Sequence, residues 1–459
     1  METPSQGADN PNGGVRTEIP EIETELSTGH VIYATVAAFL AWVFSVYDYI
    51  LFGTLLPPIR DEFGWSTPYA TGLATIIGVG TFLVALAVGP FVDYFGRRTM
   101  MLVTVAGAAL SSGLTALTPN AVYLIGVRTL GGLGYSEQAV NASYLAEIYG
   151  RRQRRGFIYG FVQGGWPVGA LLAAAMSAWL VPLIGWRGSF LVATFPAIVI
   201  LVMRLWLKES PKWEAMQVIR KLEKEGRHEE AVEFGRHYDI DIHHTEETTI
   251  RQLFEPDIRW HTIFLSLGFF SQWFGVQVFA VLGTTVLTEG KGTSFGSALT
   301  VLIVANAAAY VGYITHGFVG DIIGRRLTTA GGWILCSIAY AIMLLGPSSP
   351  GFVLTMYTIG LFFLVGPAAS FFFFMGESFP TRVRGTGTAF VNSVGPLGAI
   401  VGGALFTAAL AAGISMVWSA FIVGVTGILI GGLCILGTRD VKDPHQAEML
   451  PENESVATR

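Results

Sequence analysis

The chain has 459 residues, of which 52% are hydrophobic and only 13% are charged, and its mean hydropathy is +0.53. A soluble domain carries about 25% charged residues, so this composition excludes an ordinary soluble protein and indicates a chain built for a lipid bilayer. The formal net charge of −5 is spread over loops and tails. It therefore gives no basis for nucleic acid as a partner.

Apolar segments of roughly 20 residues recur along the whole chain, and each is long enough as a helix to cross a hydrocarbon core of about 30 Å. We therefore predict an all-α membrane protein. The first segment is longer than the apolar core of a signal peptide, so it is kept as a span. The twelve predicted spans cover residues 31–56, 69–91, 99–117, 121–148, 157–183, 189–207, 262–287, 295–319, 328–345, 352–375, 388–411 and 416–436.

The spans fall into two groups of six. A tail rich in Gly, Pro, Asn and Glu precedes the first group and is predicted to be disordered. A polar segment that contains EAMQVIRKLEKEGRHEEAVEFGRH joins the groups and reads as amphipathic surface helices. The predicted organisation is a tail (1–28), a first bundle (29–207), a linker (208–260), a second bundle (261–437) and a second tail (438–459).

Basic residues of the short loops are divided unequally between the two sides of the predicted spans. Arg60, Arg187 and Lys291 lie on one side. The other side is richer, and its arginines are Arg97, Arg98, Arg151, Arg152, Arg154, Arg155, Arg325, Arg326, Arg382 and Arg384. Because basic residues favour the cytoplasmic face, we predict a multi-pass protein of the cell membrane with both termini in the cytoplasm.

Two sequence motifs occur once in each predicted half. Residues 89–98 read GPFVDYFGRR and residues 317–326 read GFVGDIIGRR, so both fit the template GxxxDxxGRR. A second pair, EIYGRRQRRG and ESFPTRVRG, recurs at nearly the same offset. Duplicated six-helix halves with a substrate site between them are a recurring transporter design, which favours transport over catalysis.

With these motifs the chain resembles the major facilitator superfamily from about residue 31 to residue 440. The stretches RTLGGLG (128–134) and LKESPKW (207–213) support the resemblance. It implies two pseudo-symmetric six-helix bundles that rock around a central cavity and expose it to each side in turn. It also implies gate elements, in which acids pair near helix ends and arginines bind carboxylates in the outward-open state. The implied gate residues are Asp93, Arg97, Arg98, Glu147, Arg155, Asp321, Arg325, Arg326, Glu377 and Arg384.

Within that family, two subgroups share patterns with the chain. DYILFGTLLPPI and GLGYSEQAVNASYLAE are similar to proton-linked symporters of aromatic acids, sialate and other metabolites. Gln163, two turns beyond Arg155, and SQWFGVQ in the seventh span are similar to sugar porters. The chain departs from both patterns. Its first span reads SVYD where aromatic-acid symporters carry DGxD, and Ser271 replaces the second glutamine of the sugar-porter pattern.

Asp48 is an acid within the first predicted span. A charge at mid-span costs about 2.5–3.5 kcal/mol on insertion scales, and such acids usually face a cavity or a partner and mark proton pathways. Arg128 lies within the fourth span, and in sugar porters the matching arginine pairs with the matching aspartate. That resemblance implies a switch in which protonation of Asp48 frees Arg128. The alternative is an acid satisfied for packing alone.

Glu137 is a second intramembrane acid. It lies about two and a half turns beyond Arg128, so the two side chains project from roughly opposite faces and are poor partners. Glu137 must therefore find another donor or titrate. It resembles the acid of the Gly-Glu-Tyr stretch of sialate and metabolite symporters, and we predict that it shares in proton coupling with Asp48 and Arg128.

A substrate site needs neutral hydrogen-bonding groups and shaped apolar walls. Gln163 and Asn392 lie equally far beyond the motif arginine of their halves, which predicts equal depth and a central site. The predicted substrate-binding residues are Tyr47, Gln163, Trp166, Gln272, Trp273, Gln277, Asn306, Tyr310, Phe372 and Asn392.

Other chemistries have little support in the sequence. The chain has no GxxxxGK[ST] phosphate loop and no nucleophile elbow, and His243 and His244 lack spaced metal ligands, so we predict no enzyme, no metal and no cofactor besides the proton. We expect a monomeric proton symporter that imports a small polar organic solute, above all a carboxylate. A sugar or polyol symporter, an efflux antiporter and a nutrient-sensing receptor stay open as alternatives.

Overall fold

The computed structural model describes residues 26–149, 161–237, 250–379 and 383–439, apart from the side chains of residues 93, 146 and 385. The described chain consists of helices and their connections, which confirms the all-α prediction. Most of the two predicted tails, 1–28 and 438–459, lies outside the described residues, and so do Arg155 and the pair His243 and His244.

The first half begins with three continuous spans and a fourth that is broken. The first three spans are Thr28–Thr54, Thr67–Phe95 and Arg97–Thr115. A short helix, Leu56–Phe63, joins the first to the second. The fourth span consists of three consecutive helices, Ala121–Leu130, Gly132–Tyr135 and Glu137–Tyr149.

The fifth and sixth spans run through Gly165–Arg204, which is interrupted at Gly185, where φ is 66°. The two ends of this segment lie beside the same part of the first span. Phe161 stacks on Phe39 with ring centroids 4.7 Å apart, and the Tyr33 hydroxyl donates to the carbonyl oxygen of Met203 at 2.5 Å. The chain therefore reverses at Gly185 and crosses the bundle twice.

The second half repeats this plan after two linker helices, Pro211–Lys224 and His228–His237. The seventh span is Arg259–Gly275, extended by three shorter helices to Gly290. The eighth and ninth are Phe295–Ile323 and Arg325–Leu345. The tenth joins Pro350–Val365 to Ala368–Ser378, the eleventh is Arg384–Ala411, and the twelfth runs from Met416 to Leu436.

Among the described residues, nine helices are long and apolar enough to cross a membrane. One of them, Phe161–Arg204, contains the fifth and sixth spans, and the shorter third span and the broken fourth span complete the twelve. Large apolar side chains such as Leu183, Phe195 and Phe318 are exposed on the outside of the bundle. An apolar surface of this size is not stable in water, and a bilayer would cover it.

The GRR motifs define one end of the bundle, called the motif end here because Arg97, Arg98, Arg325 and Arg326 lie there. Gly96 and Gly324 each link two spans at a φ of 95°, a conformation that glycine adopts readily. Arg98 Nη2 then donates to the carbonyl oxygen of Leu205 at 2.8 Å, and Arg326 donates to that of Leu436. The duplication seen in the sequence is therefore a structural one.

Close helix packing in the first half depends on Gly169. A Cβ atom at this position would lie 2.4 Å from the carbonyl oxygen of Val43 and 2.8 Å from Val46 Cβ. The fifth span can approach the first this closely only because the side chain is absent. This contact positions the part of the first span that carries Asp48.

We predict that Gly169→Ala lowers thermal stability, because the added methyl group forces the two spans apart. Overpacking of this kind costs about 1–3 kcal/mol. Gly126→Ala is the matched control, because a Cβ at Gly126 would meet no atom within 4 Å. The melting temperature of the purified protein should fall for Gly169→Ala alone. Equal melting temperatures for the two variants would contradict the packing argument.

Candidate functional site

A cavity of about 540 Å³ lies between the two halves. It extends toward the motif end, where Val92 of the second span and Ala389 of the eleventh line it. Side chains from both halves form its walls, as a site between duplicated bundles requires. The predicted substrate-binding residues that line it are Gln163, Trp166, Gln272, Trp273, Phe372 and Asn392.

The lining of this central cavity is aromatic, with a few amides. Trp166 of the first half and Trp273 of the second meet edge to face, with ring centroids 5.9 Å apart. Gln138 Nε2 donates to Gln163 Oε1 at 3.0 Å, and Gln272 Nε2 donates to the carbonyl oxygen of Leu364 at 3.4 Å. Flat apolar walls with a few hydrogen-bonding groups are typical of a site for a small organic ligand.

Three predicted substrate-binding residues line neither this cavity nor the smaller one described below. Tyr47 is buried against the first-span residue Phe44, with ring centroids 6.2 Å apart. Asn306 donates to the carbonyl oxygen of Leu302 in its own helix at 2.9 Å, and Tyr310 is 36% exposed. Tyr49 and Tyr313, which sequence reasoning missed, line the cavities from the same two helices.

A second chamber, of about 50 Å³, contains the ion pair predicted from the resemblance. Arg128 Nη1 lies 3.1 Å from Asp48 Oδ1, and Arg128 Nη2 donates to the backbone oxygen of Asp48 at 3.1 Å. The hydroxyl of Ser112 also donates to Asp48 Oδ1. The guanidinium lies between the rings of Phe52 and Phe190, each centroid 5.5 Å away. The pairing is confirmed, whereas its part in proton transfer stays a prediction.

The two chambers are neighbours. Four residues line both of them, namely Phe82, Tyr135, Trp273 and Pro396, so these side chains form a thin partition. Gln277 of the seventh span lines the smaller chamber together with Asp48 and Arg128. A ligand in the larger cavity would therefore be separated from Asp48 and Arg128 by these four side chains.

Glu137 lines neither chamber. Its carboxylate forms a two-point contact with Arg204, at 2.8 Å from Nη1 to Oε1 and 2.6 Å from Nη2 to Oε2, and both side chains are 0% exposed. Arg204 is thus the other donor that the sequence required. It lies inside the predicted sixth span, and the insertion cost that singled out Asp48 applies equally to it. The coupling role of Glu137 stays a prediction.

Three ion pairs of the described gate residues each lie within one half at the motif end. Arg97 Nη2 lies 2.8 Å from Glu147 Oε1, and Arg325 Nε lies 3.1 Å from Glu377 Oε2. Arg325 also contacts Asp321 at 3.2 Å. Arg384 Nε donates to the carbonyl oxygen of Phe379 at 3.3 Å. Asp93 lies in the second span, but its side chain is outside the described part.

Glu209 of the LKESPKW stretch is a further motif-end residue that sequence reasoning did not assign. Its Oε1 accepts from the backbone N–H groups of Arg97 and Arg98, each at 3.0 Å. A carboxylate at the start of a helix satisfies free N–H groups and complements the helix dipole. Glu209 therefore fixes the start of the third span, next to the Arg97 gate pair.

The halves touch directly at the end opposite the motif end. Thr284 Oγ1 donates to the carbonyl oxygens of Gly53 and Thr54 at 3.2 and 3.1 Å. Thr407 Oγ1 donates to Thr71 Oγ1 at 3.0 Å. Together with the ion pair described next, these contacts close the opposite end, so the central cavity lies between this closure and the motif end.

Arg60 and Glu289 form an ion pair across the two halves at this closed end. Burial alone would lower the pKa of Arg60, but hydrogen bonds to Glu289 and Asp61 outweigh this effect and raise the pKa. A second ion pair, Arg187 with Glu62 at 2.7 Å, lies within the first half only. Burial would raise the pKa of Glu62, but hydrogen bonds from Arg187 and Trp186 lower it.

Comparisons with known proteins agree with this geometry. A model of the Major Facilitator Superfamily matches residues 38–403. The cis,cis-muconate transport protein of Acinetobacter baylyi is 26% identical over 89% of this chain and 95% of its own length. The gallate transporter of Pseudomonas putida is 27% identical over 83% and 86%. The inward-open structure of the xylose transporter XylE from E. coli matches with a TM-score of 0.68 at 16% identity, over 91% of this chain and 99% of that one, which shows a shared fold.

We predict that Glu289→Ala loosens the closed end, because it removes the ion pair that joins the halves there. A partly exposed pair contributes up to about 1 kcal/mol, which corresponds to about fivefold in an equilibrium. The reporter is Gln277→Cys in a chain whose two cysteines, Cys336 and Cys434, are replaced by Ser. In sealed vesicles, an impermeant thiol reagent applied on the side of the closed end should label the introduced cysteine about fivefold faster in the Glu289→Ala protein than in its parent.

Glu62→Ala is the control, because it removes an ion pair that lies within the first half. Its labelling rate should equal that of the parent protein. Equally faster labelling after both substitutions would show a general loosening of the structure. It would contradict a latch between the halves formed by the Arg60–Glu289 pair.

Proposed function

Because the chain belongs to the major facilitator superfamily, we propose that it imports a small organic carboxylate together with protons by alternating access. It is a multi-pass membrane transporter and not an enzyme, as the family match over residues 38–403 and the transporters among its relatives show. The coupling ion, the direction of transport and the substrate are proposals.

The observation that carries the proposal is the buried Asp48–Arg128 pair beside the central cavity. Protonation of Asp48 would leave the positive charge of Arg128 without its partner in a site of low dielectric constant, which is costly. An anionic substrate that approaches Arg128 reduces this cost. Proton and substrate therefore raise each other's affinity, as linkage between two sites requires.

The same argument favours a carboxylate over a sugar, because a neutral sugar cannot replace the charge that Asp48 gives up. The walls suit this choice, since Trp166, Trp273 and Phe372 offer flat surfaces to a planar or unsaturated acid. A volume of about 540 Å³ is enough for such a molecule. The muconate and gallate transporters among the relatives point to the same chemistry.

We further propose that the motif end faces the cytoplasm, since basic residues of short loops favour that side. In this orientation the structure is closed to the outside and its cavity extends inward. The cavity is built from the two halves of one chain, so a monomer contains the complete site. Opening to the outside would require the contacts of Thr284, Thr407 and the Arg60–Glu289 pair to break.

We predict that Asp48→Asn abolishes accumulation of substrate driven by a proton gradient, because the amide has no proton to load. Exchange of labelled for unlabelled substrate should continue, since Arg128 stays available to the anion. Both are measured with the purified protein in proteoliposomes. Glu229→Gln is the matched control at an exposed position of the linker, and it should behave as the parent does. Unchanged accumulation by Asp48→Asn would refute the role of Asp48.

We also predict that organic acids raise the melting temperature of the purified protein, and that they do so more at pH 6 than at pH 8. The physical reason is the linkage above, in which a proton on Asp48 strengthens anion binding. A ligand at 100 times its dissociation constant stabilises by about 2.7 kcal/mol. Neutral sugars at the same concentrations are the control. Protection by sugars and not by acids would favour a sugar symporter and contradict the carboxylate proposal.

A further inference from the structure

The Glu137–Arg204 pair is enclosed by a hydrogen-bonded network that reaches two other spans of the first half. Arg204 Nη1 donates to the carbonyl oxygen of Met101 at 2.6 Å, and Arg204 Nη2 donates to Asn141 Oδ1 at 2.9 Å. Thr104 donates to Glu137 Oε1. Asn141 Nδ2 in turn donates to the carbonyl oxygen of Ala38 at 3.3 Å. The first, third, fourth and sixth spans therefore meet at this one network.

The network holds one segment of the broken fourth span. The helix Ala121–Leu130 carries Arg128, and the helix Glu137–Tyr149 begins with Glu137. Between them, Gly131 and Tyr135 line the small chamber, and Tyr135 and Ser136 line the large cavity. The fourth span is thus interrupted where the two chambers meet, and each of its two longer segments is held by a different ion pair.

The two ion pairs differ in how they could open. Asp48 and Arg128 line a chamber, and their side chains are 10% and 4% exposed. Glu137 and Arg204 are 0% exposed and line neither chamber. Loss of the charge on Glu137 would leave Arg204 charged in a sealed site that no substrate anion can reach. Breaking a buried pair by removing one partner is strongly destabilising, whereas replacing both partners often is not.

We propose that the Glu137–Arg204 pair stays closed throughout the transport cycle and anchors the Glu137–Tyr149 segment of the fourth span, whereas the other buried pair of the first half, Asp48–Arg128, opens. Glu137 is then a positioning residue, and Asp48 carries the proton. The statement about Asp48 rests on the proposed function, whereas the statement about the anchor does not. The anchor holds Tyr135 and Ser136, which directly precede Glu137, at the wall of the cavity while the segment that carries Arg128 moves.

The test compares Glu137→Gln with the double variant E137Q/R204Q, in which two amides replace the two charges. The single variant leaves Arg204 without its counter-charge, and its melting temperature should fall by roughly 5 °C or more. The double variant should melt clearly above the single variant. It should also accumulate substrate with the pH profile of the parent protein. An altered pH profile would indicate that Glu137 takes part in proton transfer.

A second neutral pair, E137L/R204M, repeats the comparison without hydrogen bonds between the replaced side chains. At least one double variant should fold and should transport with the parental pH profile. Loss of gradient-driven accumulation with exchange retained, in a folded double variant, would identify Glu137 as a proton carrier and overturn the proposal. Double variants as unstable as the single variant would overturn it as well.

Asp48→Asn, measured in parallel, separates this proposal from the proposed function. If Asp48→Asn still accumulates substrate, the coupling role of Asp48 fails, but the order of melting temperatures still decides whether Glu137 and Arg204 form an anchor. A melting temperature of Glu137→Gln equal to that of the parent would reject the anchor whatever Asp48 does.

Discussion

The ion pair of Asp48 and Arg128 is the interaction on which the proposed transport cycle depends. Both side chains are nearly buried, so neither charge can be given up without compensation. Stranding one member of a buried pair costs about 3–5 kcal/mol, which is more than a hundredfold in an equilibrium constant. A proton on Asp48 together with an anion near Arg128 restores neutrality, whereas either alone does not. In the proposed mechanism this electrostatic balance couples the proton to the substrate.

Contacts between and within the two halves surround this ion pair. Trp166 and Trp273 come from different halves and touch, so a movement of one half relative to the other would shift Trp273, which belongs to the partition between the two chambers. The latch of Arg60 and Glu289 closes one end, while the Arg97 and Arg325 pairs at the motif end stay within their halves. The fully buried Glu137–Arg204 pair is the proposed fixed point inside the first half. In the proposed cycle the Asp48–Arg128 and Arg60–Glu289 pairs open, whereas the Glu137–Arg204 pair stays closed.

Sequence reasoning reached the twelve spans and the duplicated halves, because spans and motifs leave strong local signals. The contact of Asp48 with Arg128 was predicted from the resemblance to sugar porters. It did not reach which face of a span points inward. In a membrane the lipid-facing and core-facing sides of a helix are both apolar, so hydropathy does not distinguish Tyr47 from Tyr49 or Tyr310 from Tyr313. Arg204 was missed because a pairing across spans is set by packing, which spacing along the chain does not reveal.

The most direct test of the account is the movement of protons during uptake driven by a substrate gradient alone. Proteoliposomes in weak buffer receive an organic acid that raises the melting temperature of the protein, and the external pH is followed. The account predicts that the exterior becomes alkaline in step with uptake, beyond any change in protein-free liposomes, and that Asp48→Asn removes this signal. Uptake with no change in external pH, or with acidification, would contradict it.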